Sequence, residues 1–203
     1  MKMPALLRHD GGGSAAEFAL IVPLLLILFG GIIDGGRWLF EINRAEKATQ
    51  VGARFAVVTN PVAPGLATAD YIGVGGLTQG DSIPKSAFGV VTCGSTGCCQ
   101  TGMTCTTPYP TLGTFDSTTF NAMVSRMTKM KPDITADKVR ITYSSSGLGY
   151  AGDPNGMDVA PLVTVRLVNL QFHSIFLAGL STFNMPGFST TLSIEDGKSR
   201  ASY

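Results

Sequence analysis

The chain has 203 residues, with 15 basic and 14 acidic side chains and a formal charge of +1. It is nearly neutral, with no basic face to recruit nucleic acid. Its 25 glycines and frequent Ser and Thr favour turns and strands over a helical bundle, and its length suits one domain with an appendage.

Residues 1–12, "MKMPALLRHDGG", read as a short polar leader on the cytoplasmic side. Lys2 and Arg8 favour an N-in orientation, and Asp10 weakens that signal. The stretch "GGGSAAEFALIVPLLLILFGG" comes next. From Phe18 to Ile33 sixteen residues carry no charge, and Glu17 and Asp34 bound the run. At ~1.5 Å per residue this is about 24 Å of helix, short of a bilayer core of roughly 30 Å. Ala15, Ala16, Gly35 and Gly36 extend it to a span. No A-x-A-like cleavage site lies after the run, which argues against a removed secretory signal. Pro23 lies inside it and is expected to kink the helix, which membrane helices tolerate. A carboxylate at the head of such a helix costs a few kcal/mol and marks a functional site by default. Glu17 is that carboxylate.

Beyond the span, Trp38, Ile42, Ala45, Thr49, Gly52 and Phe55 recur every three or four residues. They form one mostly small helical face, expected to pack on the protein's own domain. Arg37, Glu41, Arg44, Glu46, Lys47 and Arg54 line the opposite side. Residues 13–58 therefore read as one helix, half membrane-bound and half amphipathic, closed by Pro61 and Pro64. Residues 59–203 form the distal domain.

Residues 65–113 are rich in turns, with one fair strand at Phe88–Cys93 and otherwise loop. All four cysteines, Cys93, Cys98, Cys99 and Cys105, lie in the loop 93–105. Outside the membrane they read as one or two disulfides. Three pairings exist, and bonding adjacent Cys98 and Cys99 is geometrically awkward. The spacing C-x4-C-C-x5-C lacks the two separated pairs of a zinc site. "FDSTTFNAMVSRMTKMKPD" reads as a helix capped by Asp116 or Ser117. Its core stripe is Phe120, Met123, Val124, Met127 and Met130; Lys129 and Lys131 suit its C-terminal dipole, and Pro132 ends it. Strands then start at Asp137, Val159 ("VAPLVTVRLVNLQF") and Phe188 ("FSTTLSIED"), the first two joined by the hairpin-like "GLGYAGDPNGMD". The fold class is α+β: a long N-terminal helix, then an antiparallel sheet domain with one further helix.

Catalytic constellations are missing from the sequence. His9 sits in the leader, His173 stands alone near a strand end, and no G-x-S-x-G, P-loop or H-E-x-x-H motif occurs. Asp153, Asn155 and Asp158 have a faint calcium-loop look, but Thr164 occupies the twelfth position where a glutamate belongs. We expect no enzyme, no cofactor and no metal.

Residues 11 to 56, "GGGSAAEFALIVPLLLILFGGIIDGGRWLFEINRAEKATQVGARFA", resemble the TadE-like pseudopilins, minor pilin-like proteins of the tight-adherence (Flp-type) type IV pilus system. "VTVRLVNLQF" and "FSTTLSIED" are similar, more weakly, to that family's closing strands. The resemblance implies a non-enzymatic assembly protein cut by a prepilin peptidase after a glycine, leaving glutamate fifth in the mature chain. Here that is cleavage after Gly12, a new N-terminus at Gly13, and recognition through Glu17 and Phe18. It implies that Glu17 pairs with a neighbouring subunit's N-terminal amine, in low dielectric where such a pair is strong. Burying the pair would set register rather than add stability. The kink at Pro23 and the small residues would let helices bundle. The implied partners are the prepilin peptidase, other pilins or pseudopilins, the inner-membrane assembly platform and the lipid bilayer. The implied location is the bacterial inner membrane, single pass, with a periplasmic or extracellular distal domain. The distal domain is too large for this system's major pilins. Two rivals remain: an uncleaved signal-anchored binding or adhesion module, and a membrane-tethered enzyme built around His173.

Overall fold

The computed structural model describes residues 13–100, 113–154, 156–176 and 182–194. Helix α1 (Gly13–Val58) runs through Pro23 without interruption. Among the described residues, two further α-helices, α2 (Lys85–Phe88) and α3 (Ser117–Thr128), join seven strands: β1 (Val90–Gly94), β2 (Gly97–Gln100), β3 (Val139–Ser144), β4 (Leu162–Leu167), β5 (Gln171–His173), β6 (Thr182–Asn184) and β7 (Phe188–Ser193). The architecture is α+β. The chain forms two compact units, one of Met1–Glu41 with Gln171–Asn184, the other of Ile42–Leu170 with Met185–Tyr203.

In the second unit five strands form an antiparallel sheet in the order β2-β1-β3-β4-β7. Period-two alternation divides its faces. Val91, Cys93, Val139, Ile141, Tyr143, Val163, Val165 and Leu167 point into the core. Against them pack the α1 residues Ala45, Ala48, Thr49, Ala53 and Ala56, and from α3 Phe120, Met123, Val124 and Met127, all buried. The small stripe of the amphipathic half thus packs on the protein's own domain. The outer face holds a row of threonines in register, Thr92 opposite Thr142, Thr142 opposite Thr164, and Thr164 opposite Thr191. Hydroxyl contacts of 3.3 Å (Thr92–Thr142) and 2.8 Å (Thr164–Thr191) link two of these pairs. Such cross-strand pairs contribute ~0.2–1 kcal/mol each.

Asp116 is the N-cap of α3, its carboxylate accepting from the backbone N–H groups of Thr118 and Thr119. Several expectations are corrected. The strand expected across 159–172 breaks after Leu167, because Asn169 turns into the left-handed region at φ 55°, which Asn tolerates better than most residues. Past this turn the chain forms a separate strand, β5. The first strand begins at Val90; Phe88 ends α2, and Gly89 (φ 71°) turns the chain between them. The stretch read as loop after Cys93 begins instead as the β1–β2 hairpin. Met130 is 40% exposed and not part of the core stripe. Lys131, just past the end of α3, is buried along its side chain, and its Nζ lies 3.1 Å from Asp133.

Candidate functional site

Gly12 lies outside the described residues. Gly13 is the first residue of α1, and Glu17, Phe18 and Pro23 are all on exposed surface of the single chain. The same holds for the apolar run behind them, from Leu20 and Ile21 to Phe29, Ile32 and Ile33. The helix from Ala15 to Val58 contains a window apolar enough to cross a membrane, and only 6% of that window is buried by protein. A helix apolar on all its faces and uncovered by its own domain suits lipid. Among the described residues it is the one helix long and apolar enough to cross a membrane, which suggests single-pass anchoring.

At the end of this run, in the first unit, Asp34 does more than mark a boundary. Its carboxylate is buried and accepts hydrogen bonds from the backbone N–H groups of Ile175 and Phe176, both at 3.0 Å. Arg37 on the next turn of α1 donates to the same group at 3.2 Å. On that same turn, Trp38 meets Phe172 edge to face at 5.2 Å and Phe183 at 6.5 Å, while the Arg37 guanidinium stacks over Phe172 at 5.4 Å. The two-stranded β5–β6 pair is thereby held on the helix by aromatic contacts at one end and a charged clamp at the other. Between them lies an open cleft of about 310 Å³, lined by Gly31, Asp34, Gly35, Trp38, Phe172, Ser174 and Phe183. Ser174 Oγ is buried there with no hydrogen-bond partner among the described residues. Sequence reasoning had Asp34 only as the edge of the apolar run. Its partners are 141 and 142 positions away, and no local pattern announces such a contact.

In the second unit the amphipathic half of α1 approaches the core closely. A Cβ on Gly52 would lie 2.7 Å from Met127 Sδ and 3.2 Å from Val165 Cγ1. Thr49 Oγ1 meets Thr190 Oγ1 at 2.9 Å, Arg44 Nε donates to the Met130 carbonyl at 2.8 Å, and Arg126 stacks over Phe55 at 4.6 Å. Where the chain leaves the helix, Val62 N–H donates to the buried Tyr143 hydroxyl at 3.0 Å. Burial pushes that phenol's pKa well up, and the Val62 hydrogen bond opposes the shift.

Cys93 and Cys98 face each other across the β1–β2 hairpin and are disulfide-bonded, which excludes the adjacent pairing. Cys99 is disulfide-bonded as well, and Cys105 lies outside the described residues. The calcium-like loop has another use. Asp158 is buried and accepts from the backbone N–H groups of Tyr71, Gly152 and Asp153 at 2.9–3.1 Å; Asn155 is outside the described residues. Among the described residues no group of three or more His, Cys, Asp or Glu could hold a metal ion. His173 is exposed on β5, and its carbonyl accepts from Arg37 at 3.5 Å.

A family model described as TadE-like protein matches residues 12–54 of the 203. No curated protein and no solved structure matches the chain.

Proposed function

With a TadE-like segment at residues 12–54 as the premise, we propose that this chain is a non-enzymatic minor pseudopilin of a tight-adherence (Flp-type) pilus, cleaved after Gly12 by a prepilin peptidase. The observation that carries the reading is Glu17, an exposed carboxylate at the head of a lipid-suited helix. Cleavage would turn Gly13 into a terminal ammonium four residues before it. A carboxylate at that depth is costly alone. It is satisfied when the ammonium of a neighbouring subunit lies beside it, because opposite charges attract far more strongly in low dielectric than in water. Glu17 then acts as a register mark for assembly, with Phe18 packing next to it. Kinking at Pro23 and the glycines beyond it would let neighbouring helices come close.

Lys2 and Arg8 before the span support an N-in orientation at the bacterial inner membrane. The sheet domain would then lie in the periplasm or outside the cell, an oxidising setting that suits the disulfides. The proposed partners are the peptidase, the other pilins or pseudopilins of the system, and the inner-membrane assembly platform.

The test is the intact mass and N-terminal sequence of the protein from its native membrane, with and without the peptidase. A chain beginning at Gly13 only when the peptidase is present supports the proposal, and Glu17→Gln should then still be cleaved or anchored but fail to support piliation. An unchanged N-terminus in both strains overturns it in favour of an uncleaved anchored binding module.

A further inference from the structure

The β5–β6 element lies along the end of the membrane anchor, and its own composition is unusual for a surface hairpin. From Gln171 to Asn184 the sequence contains no Asp, Glu, Lys or Arg. Strand β5 and the residues that follow it descend the helix step by step. Phe172 packs on Trp38, the His173 carbonyl meets Arg37, and the N–H groups of Ile175 and Phe176 meet Asp34. Phe176 then reaches Gly30, where a Cβ would stand 2.8 Å from its own Cβ. Gly30 is inside the charge-free run, three residues short of its end at Ile33, or about 5 Å along the axis.

At that level Ile175 and Phe176 are 60% and 59% exposed, although their backbone is held. Phe176 lies against Gly30, and the exposed Phe29 and Ile33 of α1 flank that position on the helix. We propose that Ile175 and Phe176 form a second membrane contact, entering the lipid leaflet in which the C-terminal end of the apolar run emerges. The occupant is lipid because this surface continues that of a helix run almost wholly uncovered by protein. A contact about 5 Å below the boundary matches the depth at which interfacial apolar faces lie.

Backbone chemistry agrees. Non-helical chain in a leaflet must satisfy its N–H groups within the protein. Asp34 accepts from the two that descend furthest among the described residues. Asp34 is thus a membrane-boundary clamp, able to bring an irregular segment below the interface without stranding its donors.

The proposal rests on the anchoring of α1, and one experiment separates the two. The full native chain is reconstituted in phosphatidylcholine–phosphatidylglycerol vesicles and photolabelled in parallel with two diazirines. One is carried on the upper acyl chain of a lipid, the other is a small water-soluble compound; adducts are mapped by mass spectrometry. The expected result is lipid-derived adducts on Ile175 and Phe176 as well as on residues 18–33, with the aqueous reagent excluded from both. Lipid adducts on 18–33 with aqueous adducts on Ile175 and Phe176 overturn this proposal and leave the anchor intact. Protection of those two residues from both reagents overturns it too, in favour of a protein partner such as a second copy. Absence of lipid adducts from 18–33 refutes the anchoring on which it rests.

Discussion

Replacing Asp34 by alanine removes the acceptor for two backbone N–H groups and for Arg37 at once. Hydrogen bonds to a charged acceptor contribute ~1.5–3 kcal/mol each. Both backbone bonds are part-buried, so the lower end of that range applies and their sum is about 3 kcal/mol. At ~1.4 kcal/mol per decade this lowers the ratio of held to released hairpin ~100-fold. Asp34→Asn keeps one carbonyl oxygen and presents an amide N–H₂ to the other donor, so about half of that loss is expected. Arg37→Ala is the control. Its side chain is 39% exposed, and an ion pair of that kind contributes ~0–1 kcal/mol. The assay is amide hydrogen exchange at Ile175 and Phe176 in a membrane mimetic, alongside the emission of Trp38, the single tryptophan. Asp34→Ala should lower protection ~100-fold and red-shift Trp38, while Arg37→Ala lowers it less than ~10-fold. Unchanged protection with an unshifted Trp38 would show that the aromatic contacts alone hold the hairpin and that the clamp account is wrong.

Two further outcomes test the distal unit. Asp116→Ala removes the α3 cap and should cost ~0.5–2 kcal/mol, read as a lower urea midpoint. The Thr119 hydroxyl and N–H, with Thr118 N–H, hold the Asp116 pKa below the usual carboxylate value. Its contribution is therefore in full force above the unfolded value of ~3.9 and fades as pH falls through the lower folded one. The midpoint gap should stay constant near neutrality and shrink in acid; a gap that widens in acid reverses the sign. Gly52→Leu forces a side chain against Met127, which can swing aside, and Val165, which cannot. It should cost about 3 kcal/mol and lower Tm by roughly 6–12 °C. Gly36→Leu, at a position with no neighbour within 4 Å, should leave Tm unchanged.

Much of this was legible because it is local. The charge-free run, the small stripe through Ala45, Thr49 and Gly52, the Asp116 cap and the alternation of Val139–Ser144 each depend on neighbours within a few positions. Where the sequence misled, a longer-range preference prevailed. "VTVRLVNLQF" is apolar enough to read as one strand, and a single residue, Asn169 with its positive φ, sends the chain out of the sheet. Strand β6 has three residues, all exposed, so alternation had nothing to mark. The site divides in the same way. Glu17 stands out because a carboxylate is out of place there, and Asp34 does not, because a charge at the end of an apolar run looks ordinary until its remote donors are in view.

The threonine row on the outer face of the sheet has a consequence for how that surface meets its medium. Around it in β1, β3, β4 and β7 the outward positions hold Val90, Arg140, Ser144, Leu162, Arg166, Ser189 and Ser193. Apart from the two arginines, every side chain in the set is an alkyl group or a hydroxyl. Hydroxyl protons swing between donating and accepting as the adjacent water demands. A face of this kind holds no carboxylate, so its hydration does not follow the protonation of the carboxylates elsewhere on the chain.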